Sequence, residues 1–450
     1  MGKYFGTDGV RAVAGHFPLT DDFIAKLGYC ALKELEQYAA QYHLKNQVVI
    51  ARDTRLSGPS ILKNLSDGIR AAGADVLDMG VSTTPSVADA VKQTGSLCGV
   101  VISASHNPAE FNGIKFFTHT GTKLPEDLED KIEAAIESLP AVPAPKAAFR
   151  SAPELVEDYK NFLVSTVDAS LLKGTKVVLD CANGASGKIA PAVFRALGME
   201  VTVMGDDADG AQINEGVGAL HTEKMQELTR KEHAYAGFSF DGDADRVIAS
   251  DENGRQLDGE YIIAASALAL KERGALSGNK AVLTVMANLG CINYLKEHGV
   301  DVELTPVGDK YVSQTLREQG LAVGGETSGH IIFPAYSSTG DGILSALQFL
   351  QFAKKSGLPL SAFAAQWNKY PCQLRAIHSE TKPDLESLPG FLDGIRLLEN
   401  KLGGKGRVFV RYSGTEPKLR ILVEGETEET VQRTADEAEA LYRSKTEGMK

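Results

Sequence analysis

The chain has 450 residues, of which 43% are hydrophobic and 24% are charged, and it carries a formal net charge of −12. This length exceeds what one hydrophobic core supports and predicts about three or four domains. The acidic balance without basic clusters argues against a nucleic-acid partner. The sequence also has no apolar run of about 18 residues, so it predicts no membrane span.

The N-terminal sequence and the cysteines indicate a cytoplasmic protein. The start, MGKYFGTDGVR, lacks the apolar core of a signal peptide. The cysteines are scattered, odd in number and without a C-x-x-C pair, which is typical of reduced thiols and argues against a disulfide scaffold or a zinc site. They are Cys30, Cys98, Cys181, Cys291 and Cys372.

Short apolar strands, polar turns and helices alternate through most of the chain. Such alternation predicts mostly parallel sheets with helices on both faces, in which ligands bind at the carboxyl ends of the strands. The sequence predicts strands at 47–51, 98–102, 176–180, 234–240 and 281–285, and helices at 59–72, at 289–298 and after CANGASG up to about residue 197.

Three breaks divide this pattern. The segment 138–152 contains LPAVPAPKAA and predicts an extended linker. Further breaks are expected near 251–259 and 370–388. Beyond the last break, two strands that flank SGTEPK and a helix at 428–443 predict a smaller α+β domain.

The motif DGDADR follows a strand and places Asp241, Asp243 and Asp245 at alternate positions. Converging carboxylates repel one another unless a cation neutralises them, and all-oxygen ligands suit Mg²⁺ or Ca²⁺. A solvated acidic turn is the simpler alternative. An EF-hand is rejected, although Glu252 stands at its position 12, because its position 6 needs glycine and holds Arg246.

The motif SASHNP also follows an apolar strand. A serine on a tight turn at a strand end is well placed for nucleophilic chemistry, although the G-x-S-x-G pattern of α/β-hydrolases is missing. His106 could serve as a base, but adjacent side chains rarely point at the same atom. By itself, the motif is equally compatible with an ordinary Asx turn.

Three further motifs carry polar or charged groups, and two of them suit a ligand. RYSGTEP, between Arg411 and Arg420, combines arginines with small residues whose backbone N–H groups can surround an anion, although a plain hairpin turn is the alternative. GGETSGH offers a carboxylate, hydroxyls and the imidazole of His330. FGTDGVR is a glycine-rich turn that ends at Arg11.

These five motifs, in this order from Phe5 to Arg420, resemble those of the α-D-phosphohexomutase superfamily. The resemblance implies three similar α/β domains with mixed, mostly parallel sheets and a smaller C-terminal α+β domain around a central cleft. The expected domains are 1–150 with a phosphoserine loop, 151–252 with a metal-binding loop, 253–370 with a sugar-binding loop and 371–450 with a phosphate-binding loop.

The resemblance also implies a role for each motif residue. Ser105 is expected to be phosphorylated and to hold one Mg²⁺ together with the three aspartates. Lys115 or His330 is expected to be the acid/base, with Lys115 preferred, and Arg11 and Arg246 are expected to stabilise charge. The expected substrate-binding residues are Glu326, Ser328, His330, Arg411, Ser413, Gly414, Thr415 and Arg420.

Within the superfamily, FGTDGVR, DCANGA, VGDKYV, GGETSGHIIF and TGDGI resemble the bacterial branch that interconverts glucosamine 6-phosphate and glucosamine 1-phosphate on the way to UDP-N-acetylglucosamine. That branch implies a small phosphosugar as partner and glucosamine 1,6-bisphosphate as intermediate. A mutase for mannose or glucose phosphates is the nearest alternative. A non-catalytic phosphosugar sensor and a haloacid-dehalogenase-type phosphatase are more distant ones. The sequence leaves open whether the chain is a monomer or a homodimer.

Overall fold

The structure is a computed structural model that describes residues 2–6, 8–364, 366–413 and 417–446. The chain forms two compact units. The first consists of Met1–Met286 and Val300–Ala365, and the second of Ala287–Gly299 and Gln366–Lys450. Among the described residues, none of the helices combines the length and the apolar character needed to cross a membrane.

Strands and helices alternate as the sequence predicts. The first part of the chain contains β1 (Val10–Val13), α1 (Asp21–Tyr38), β2 (Lys45–Arg52), α2 (Gly58–Ala72), β3 (Asp75–Val81), α3 (Thr84–Thr94), β4 (Ser96–Ile102), β5 (Phe111–Thr118), α4 (Glu126–Ser138) and β6 (Phe149–Ser151). It is followed by α5 (Glu154–Ser165), α6 (Ala169–Leu172), β7 (Lys176–Asp180), α7 (Ala190–Ala196), β8 (Glu200–Met204), α8 (Glu223–Lys231), β9 (Ala236–Phe240), β10 (Val247–Asp251) and β11 (Gln256–Leu257).

The remaining elements continue the alternation and then change to an antiparallel pattern. They are α9 (Gly259–Glu272), β12 (Lys280–Thr284), α10 (Leu289–Glu297), β13 (Asp301–Thr305), α11 (Asp309–Gln319), β14 (Gly324–Gly325), β15 (Ile331–Ile332), α12 (Gly342–Ser356), α13 (Leu360–Ala364), β16 (Cys372–His378), α14 (Phe391–Lys401), β17 (Gly406–Tyr412), β18 (Lys418–Gly425) and α15 (Glu428–Thr446).

The first unit contains three sheets within the described residues, with strand orders β1-β5-β4-β2-β3-β6, β11-β10-β9-β7-β8 and β13-β12-β14-β15. The central pairs, such as β2 with β3 and β4, β7 with β8 and β9, and β12 with β13, are parallel, while β5, β10 and β15 pair antiparallel with β4, β9 and β14. The expected fold class is therefore confirmed. β4 and β9 are buried along their whole length, so the loops that follow them start from fixed positions.

The second unit is built on an antiparallel sheet of order β16-β18-β17. Its core lies between this sheet and the helices α14 and α15, where Phe391, Leu419 and Ala435 are fully buried. The paired strands that the sequence predicts around SGTEPK are β17 and β18, and they form a regular hairpin register.

Two strands lie where the sequence predicted a linker or a break. β6 pairs with β3, but all three of its side chains are exposed, so no apolar pattern marks it. β16 pairs along its whole length with β18, yet most of its side chains are also exposed or half-buried. Both strands are fixed by backbone hydrogen bonds to a partner distant in sequence, which is why no side-chain pattern identified them as strands.

Helices α1 and α2 approach each other closely at two glycines. A Cβ atom on Gly68 would lie 2.0 Å from the carbonyl oxygen of Ala25, and one on Gly28 would lie 2.5 Å from that of Leu65. Neither distance is compatible with a side chain, so the two backbones can pack only because both positions are glycine. This contact holds the helical layer over the core that contains Leu27 and Leu65.

We expect Gly68→Ala to destabilise the first unit, because the added methyl group meets the Ala25 carbonyl and forces the helices apart. Such overpacking typically costs about 1–3 kcal/mol. Urea unfolding followed by circular dichroism measures the loss. Gly187→Ala is the matched control, because a Cβ atom there makes only ordinary contacts of 3.6 Å or more. Equal stability of the two variants would contradict this account of the helix contact.

Candidate active site and metal centre

Three buried carboxylates lie in the turn between β9 and β10, which is called the metal loop below. The turn is possible because Ala244 adopts a left-handed conformation with φ of 57°, which sends the chain back antiparallel to β9. Asp241, Asp243 and Asp245 each offer a carboxylate oxygen, and these oxygens lie within 4.8 Å of one another. The convergence that the sequence predicted for this motif is therefore present.

Lys115 on β5 supplies positive charge to this cluster. Its Nζ lies 2.7 Å from Asp243 and 3.7 Å from Asp245, and it also lies 3.0 Å from Asp8. Burial lowers the pKa of Lys115, but the carboxylates of Asp243, Asp8 and Asp245 outweigh that effect and raise it above its usual value. In return, although burial raises the pKa of Asp243, the charge and hydrogen bond of Lys115 hold it well below its usual range.

The cluster fits a divalent cation. One oxygen each of Asp243 and Asp245 is buried and has no hydrogen-bond partner among the described residues. Burial and the charges of Asp245 and Asp243 also raise the pKa of Asp241 well above its usual value. A hard divalent cation would bind these unsatisfied oxygens. Its charge would also stabilise the ionised form of Asp241.

Ser105 lies against this cluster. Its Oγ donates to Asp241 over 2.5 Å, and Nδ1 of His106 lies 3.1 Å from the same Oγ. The structure thus differs from the expectation that adjacent side chains would diverge, because Ser105 has a left-handed φ of 53° that turns the two side chains to one side. Burial, and then the charges of Arg246 and Arg11, lower the pKa of His106 to about 4.

A buried arginine holds the backbone of the loop that contains Ser105, which is called the serine loop below. Arg55 donates to the carbonyl oxygens of Ser105 and Asn107 over 3.0 and 2.8 Å, and Asn214 donates to the same two oxygens over 2.9 and 3.1 Å. Arg55 is fixed in turn by Asp53 over 2.9 Å. Four hydrogen bonds to two carbonyl groups stabilise the unusual backbone of this loop.

A chain of alternating charges joins the two acid/base candidates. Lys115 contacts Asp8, Asp8 contacts Nζ of Lys123 at 2.5 Å, and Lys123 also binds Asp309. Asp309 lies 3.4 Å from Nε2 of His330. The structure therefore brings Lys115 and His330 into one ionic network, and their side chains are 2% and 3% exposed.

The expected sugar-binding loop lies between β14 and β15. Oε1 of Glu326 accepts from the N–H of Gly308 over 3.2 Å, and the Glu326 N–H donates to the His330 carbonyl over 3.0 Å. The side-chain oxygen of Ser328 is buried and has no hydrogen-bond partner within the described residues. These contacts fix the backbone of this loop.

The two expected charge-stabilising arginines flank the cluster. Arg11 pairs with Asp8, and Nε of Arg246 lies 3.8 Å from Asp245. The backbone of Arg246 also bridges to that of His330, which ties the metal loop to the expected sugar-binding loop. Each of these basic side chains faces a carboxylate, so the site contains paired charges of both signs and is not a basic patch.

Arg411 and Arg420 are brought together on the second unit. They lie directly opposite each other on β17 and β18. The carbonyl oxygen of Ser413, at the end of β17, accepts from Nζ of Lys382 over 2.7 Å. Gly414 and Thr415, which the sequence assigned to the same loop, lie outside the described residues.

Several residues of these sites were not found from the sequence. Asp8 and Asp309 lie inside the motifs FGTDGVR and VGDKYV, and Arg55 lies in a polar turn after a predicted strand. These positions could have marked the three residues as candidates for the site. Asn214, Lys123 and Lys382 offered none, because each is identified only by partners distant in sequence.

Four domain families match this chain in succession. Their descriptions are phosphoglucomutase/phosphomannomutase, alpha/beta/alpha domain I, at residues 2–142, domain II at 153–254 and domain III at 258–370, and the C-terminal domain at 375–441. Together they cover most of the chain.

Curated relatives and solved structures agree with this match. A phosphoglucosamine mutase of Caldicellulosiruptor saccharolyticus is 43% identical over 99% of this chain and 100% of its own. One of Symbiobacterium thermophilum is 44% identical over 97% of each chain. The crystal structure of a phosphoglucomutase/phosphomannomutase family protein from Burkholderia thailandensis has a TM-score of 0.82 at 23% identity, covering 100% of this chain and 99% of that one.

We expect the aspartate cluster to bind one divalent cation per chain, because bound charge would relieve the repulsion among the carboxylates. Asp241→Asn should weaken binding by more than about tenfold, the smallest loss typical even for an outer-shell partner of a metal. Titration of the chelator-treated chain with Mn²⁺, followed by electron paramagnetic resonance, measures the affinity. Asp22→Asn, an exposed carboxylate at the start of α1, is the control and should bind normally. Unchanged affinity in Asp241→Asn would refute the assignment.

Proposed function

Because the chain belongs to the phosphoglucomutase/phosphomannomutase family, we propose that it is a mutase that interconverts glucosamine 6-phosphate and glucosamine 1-phosphate. The observation that carries this proposal is the hydroxyl of Ser105, which lies 2.5 Å from Asp241 at the edge of a buried carboxylate cluster. The name that its curated relatives share, phosphoglucosamine mutase, supports the choice of sugar.

The reaction runs as two phosphoryl transfers. Phosphorylated Ser105 gives its phosphoryl group to the free hydroxyl of the sugar monophosphate: a sugar O–P bond forms, the Oγ–P bond breaks and the hydroxyl proton passes to an acid/base. The product of this step is glucosamine 1,6-bisphosphate. After the bisphosphate turns around, its other phosphoryl group returns to Ser105, so the enzyme ends phosphorylated and no phosphate is consumed.

Charge stabilisation is the main demand of phosphoryl transfer. When bound, Mg²⁺ supplies positive charge at the transferring group, and we propose that Ser105, Asp241, Asp243 and Asp245 hold it. Arg11 and Arg246 add fixed positive charge at the rim of the cluster.

Lys115 is our preferred acid/base and His330 the second candidate; because its carboxylate neighbours raise the pKa of Lys115, it starts protonated and is suited first to give a proton to the Oγ of Ser105 as the Oγ–P bond breaks. Both side chains are buried, and each has a carboxylate neighbour that orients it. Glu326 and Ser328 are proposed to bind the sugar hydroxyls, since both lie on the loop that the metal loop contacts through Arg246 and His330.

The second unit is proposed to anchor the phosphate that does not react. Arg411 and Arg420 lie opposite each other on a hairpin, where two planar guanidinium groups can grip one dianion. Ser413, Gly414 and Thr415 complete the proposed loop. Lys382, which binds the carbonyl of Ser413, adds a further positive charge near it.

A mutase for mannose or glucose phosphates is the second candidate, because the matched domain families carry the names of those enzymes. A coupled assay with glucosamine 6-phosphate, N-acetylglucosamine 6-phosphate, mannose 6-phosphate and glucose 6-phosphate distinguishes the two. We expect the highest kcat/KM for glucosamine 6-phosphate, and a preference for a neutral hexose would overturn the choice of sugar.

Ser105→Ala should abolish mutase turnover, because it removes the oxygen that carries the phosphoryl group, while the fold is kept. Intact-mass measurement should show one added phosphate on the wild type and none on the variant. Ser165→Ala, an exposed serine on α5, is the control and should keep both activity and phosphate. Undiminished turnover in Ser105→Ala would refute the phosphoserine mechanism.

Arg411→Ala and Arg420→Ala should each raise KM for both phosphosugar isomers, since the same anchor must hold the 1-phosphate and the 6-phosphate in turn. A charge-assisted hydrogen bond contributes about 1.5–3 kcal/mol, which corresponds to roughly 10-fold to 150-fold in affinity. Lysine should rescue only partly, because it keeps the charge and loses the planar fork. Kinetics in both directions measure the effect.

Arg396→Ala, on an exposed ion pair of the same unit, is the matched control and should leave KM unchanged. Free bisphosphate should also accumulate in the two anchor variants, because the intermediate loses part of one attachment before it turns. A loss confined to one isomer would mean that the hairpin reads only one end of the sugar, and the single-anchor proposal would be wrong.

A further inference from the structure

The TGDGI motif is not part of the chemistry proposed above, yet its aspartate is among the most buried in the first unit. Asp341 is 1% exposed and stands at the start of α12. One carboxylate oxygen accepts from the N–H of Leu344 over 2.9 Å, which caps the helix. The other accepts from the hydroxyl of Tyr159 over 2.8 Å, a residue of α5 that is also 1% exposed.

The glycines on both sides of Asp341 press against the metal loop. The N–H of Gly342 donates to the carbonyl of Ala244 over 3.0 Å, and a Cβ atom on Gly342 would lie 2.4 Å from the carbonyl oxygen of Arg246. A Cβ atom on Gly340 would lie 2.7 Å from the carbonyl oxygen of Asp245. The start of α12 therefore supports the backbone of the metal loop directly, with no room for a side chain between them.

The other side of the metal loop is held from α3. Thr84 donates its N–H to the carbonyl of Asp243 over 3.0 Å and its hydroxyl to the carboxylate of the same residue over 2.7 Å. Thr84 follows Thr83, whose side chain interacts with the hydroxyl of Tyr159, and α3 packs against α5. The hydroxyl of Tyr159 thus lies between the two supports of the loop.

We propose that Tyr159 and Asp341 are positioning residues that set the geometry of the carboxylate cluster, so that affinity for the divalent cation depends on their hydrogen bond. Neither residue touches substrate or the reacting atoms. Their bond fixes α12 relative to α3, and these two helices hold Ala244 and Asp243 respectively. Ligand groups must be held within about 0.5 Å for a metal site to work, so a small shift of either support is enough to weaken it.

The proposal rests on the metal-dependent function above, and its test separates the two. Tyr159→Phe removes one oxygen and keeps the ring that fills the core. We expect the dissociation constant for Mn²⁺, titrated in the absence of sugar, to rise by about tenfold, the equivalent of about 1.4 kcal/mol. The Mg²⁺ concentration for half-maximal mutase activity should rise in parallel, while KM for the phosphosugar at saturating Mg²⁺ stays the same.

Tyr235→Phe is the matched control, because it also removes one hydroxyl from the first unit, where it donates to the carbonyl of Leu358 over 2.9 Å far from the loop. This variant should bind Mn²⁺ like the wild type.

Unchanged Mn²⁺ affinity in Tyr159→Phe, with or without a lower melting temperature, would show that the bond is only structural and would overturn the proposal. An equal loss of affinity in Tyr235→Phe would overturn it as well. If the wild type binds Mn²⁺ but turns over no phosphosugar, the proposed function fails, and the Mn²⁺ titration of the variants still decides the positioning role.

Discussion

Three carboxylates within 4.8 Å of one another, all buried, are the constraint on which the rest of this site depends. Burial and mutual repulsion both oppose their ionisation, so the fold has to bring positive charge to them. Lys115 meets part of that demand from β5, a strand of a different sheet. Two carboxylate oxygens still have no hydrogen bond within the described residues, and this remaining demand is what a divalent cation would meet.

The same constraint explains why the surroundings of the cluster are so rigid. The metal loop and the serine loop each contain a non-glycine residue in the left-handed region, Ala244 and Ser105, and such conformations persist only where neighbours fix them. Arg55 and Asn214 fix the serine loop through carbonyl groups, and the glycines beside Asp341 fix the metal loop. The hydroxyl of Ser105 and the carboxylates are therefore positioned by backbone contacts as well as by the hydrogen bond from Ser105 to Asp241.

How far the sequence predicts this arrangement depends on the range of each interaction. Ser105 and Asp241 each follow a buried strand, but β4 and β9 belong to different sheets, so only the resemblance to the phosphohexomutase motifs implied that the two residues meet. The sequence does not identify Lys123 as part of the site, because Lys123 is placed there only by ion pairs with Asp8 and Asp309, which lie at distant positions in the chain. β6 and β16 were missed for a similar reason: their side chains are largely exposed, and pairing with a distant strand alone defines them.

The positions of the basic side chains bear on how one protein could transfer a phosphoryl group to or from either end of a sugar phosphate. On the first unit, Arg11, Lys115 and Lys123 each face a carboxylate. The opposed Arg411 and Arg420 lie on a hairpin of the second unit. A mutase with one reactive serine needs an anchor that recognises a phosphate group rather than a particular sugar carbon, because the bisphosphate must be held in both orientations. The two planar guanidinium groups proposed as this anchor, those of Arg411 and Arg420, would meet that requirement, since they match the phosphate oxygens and make no demand on the sugar ring.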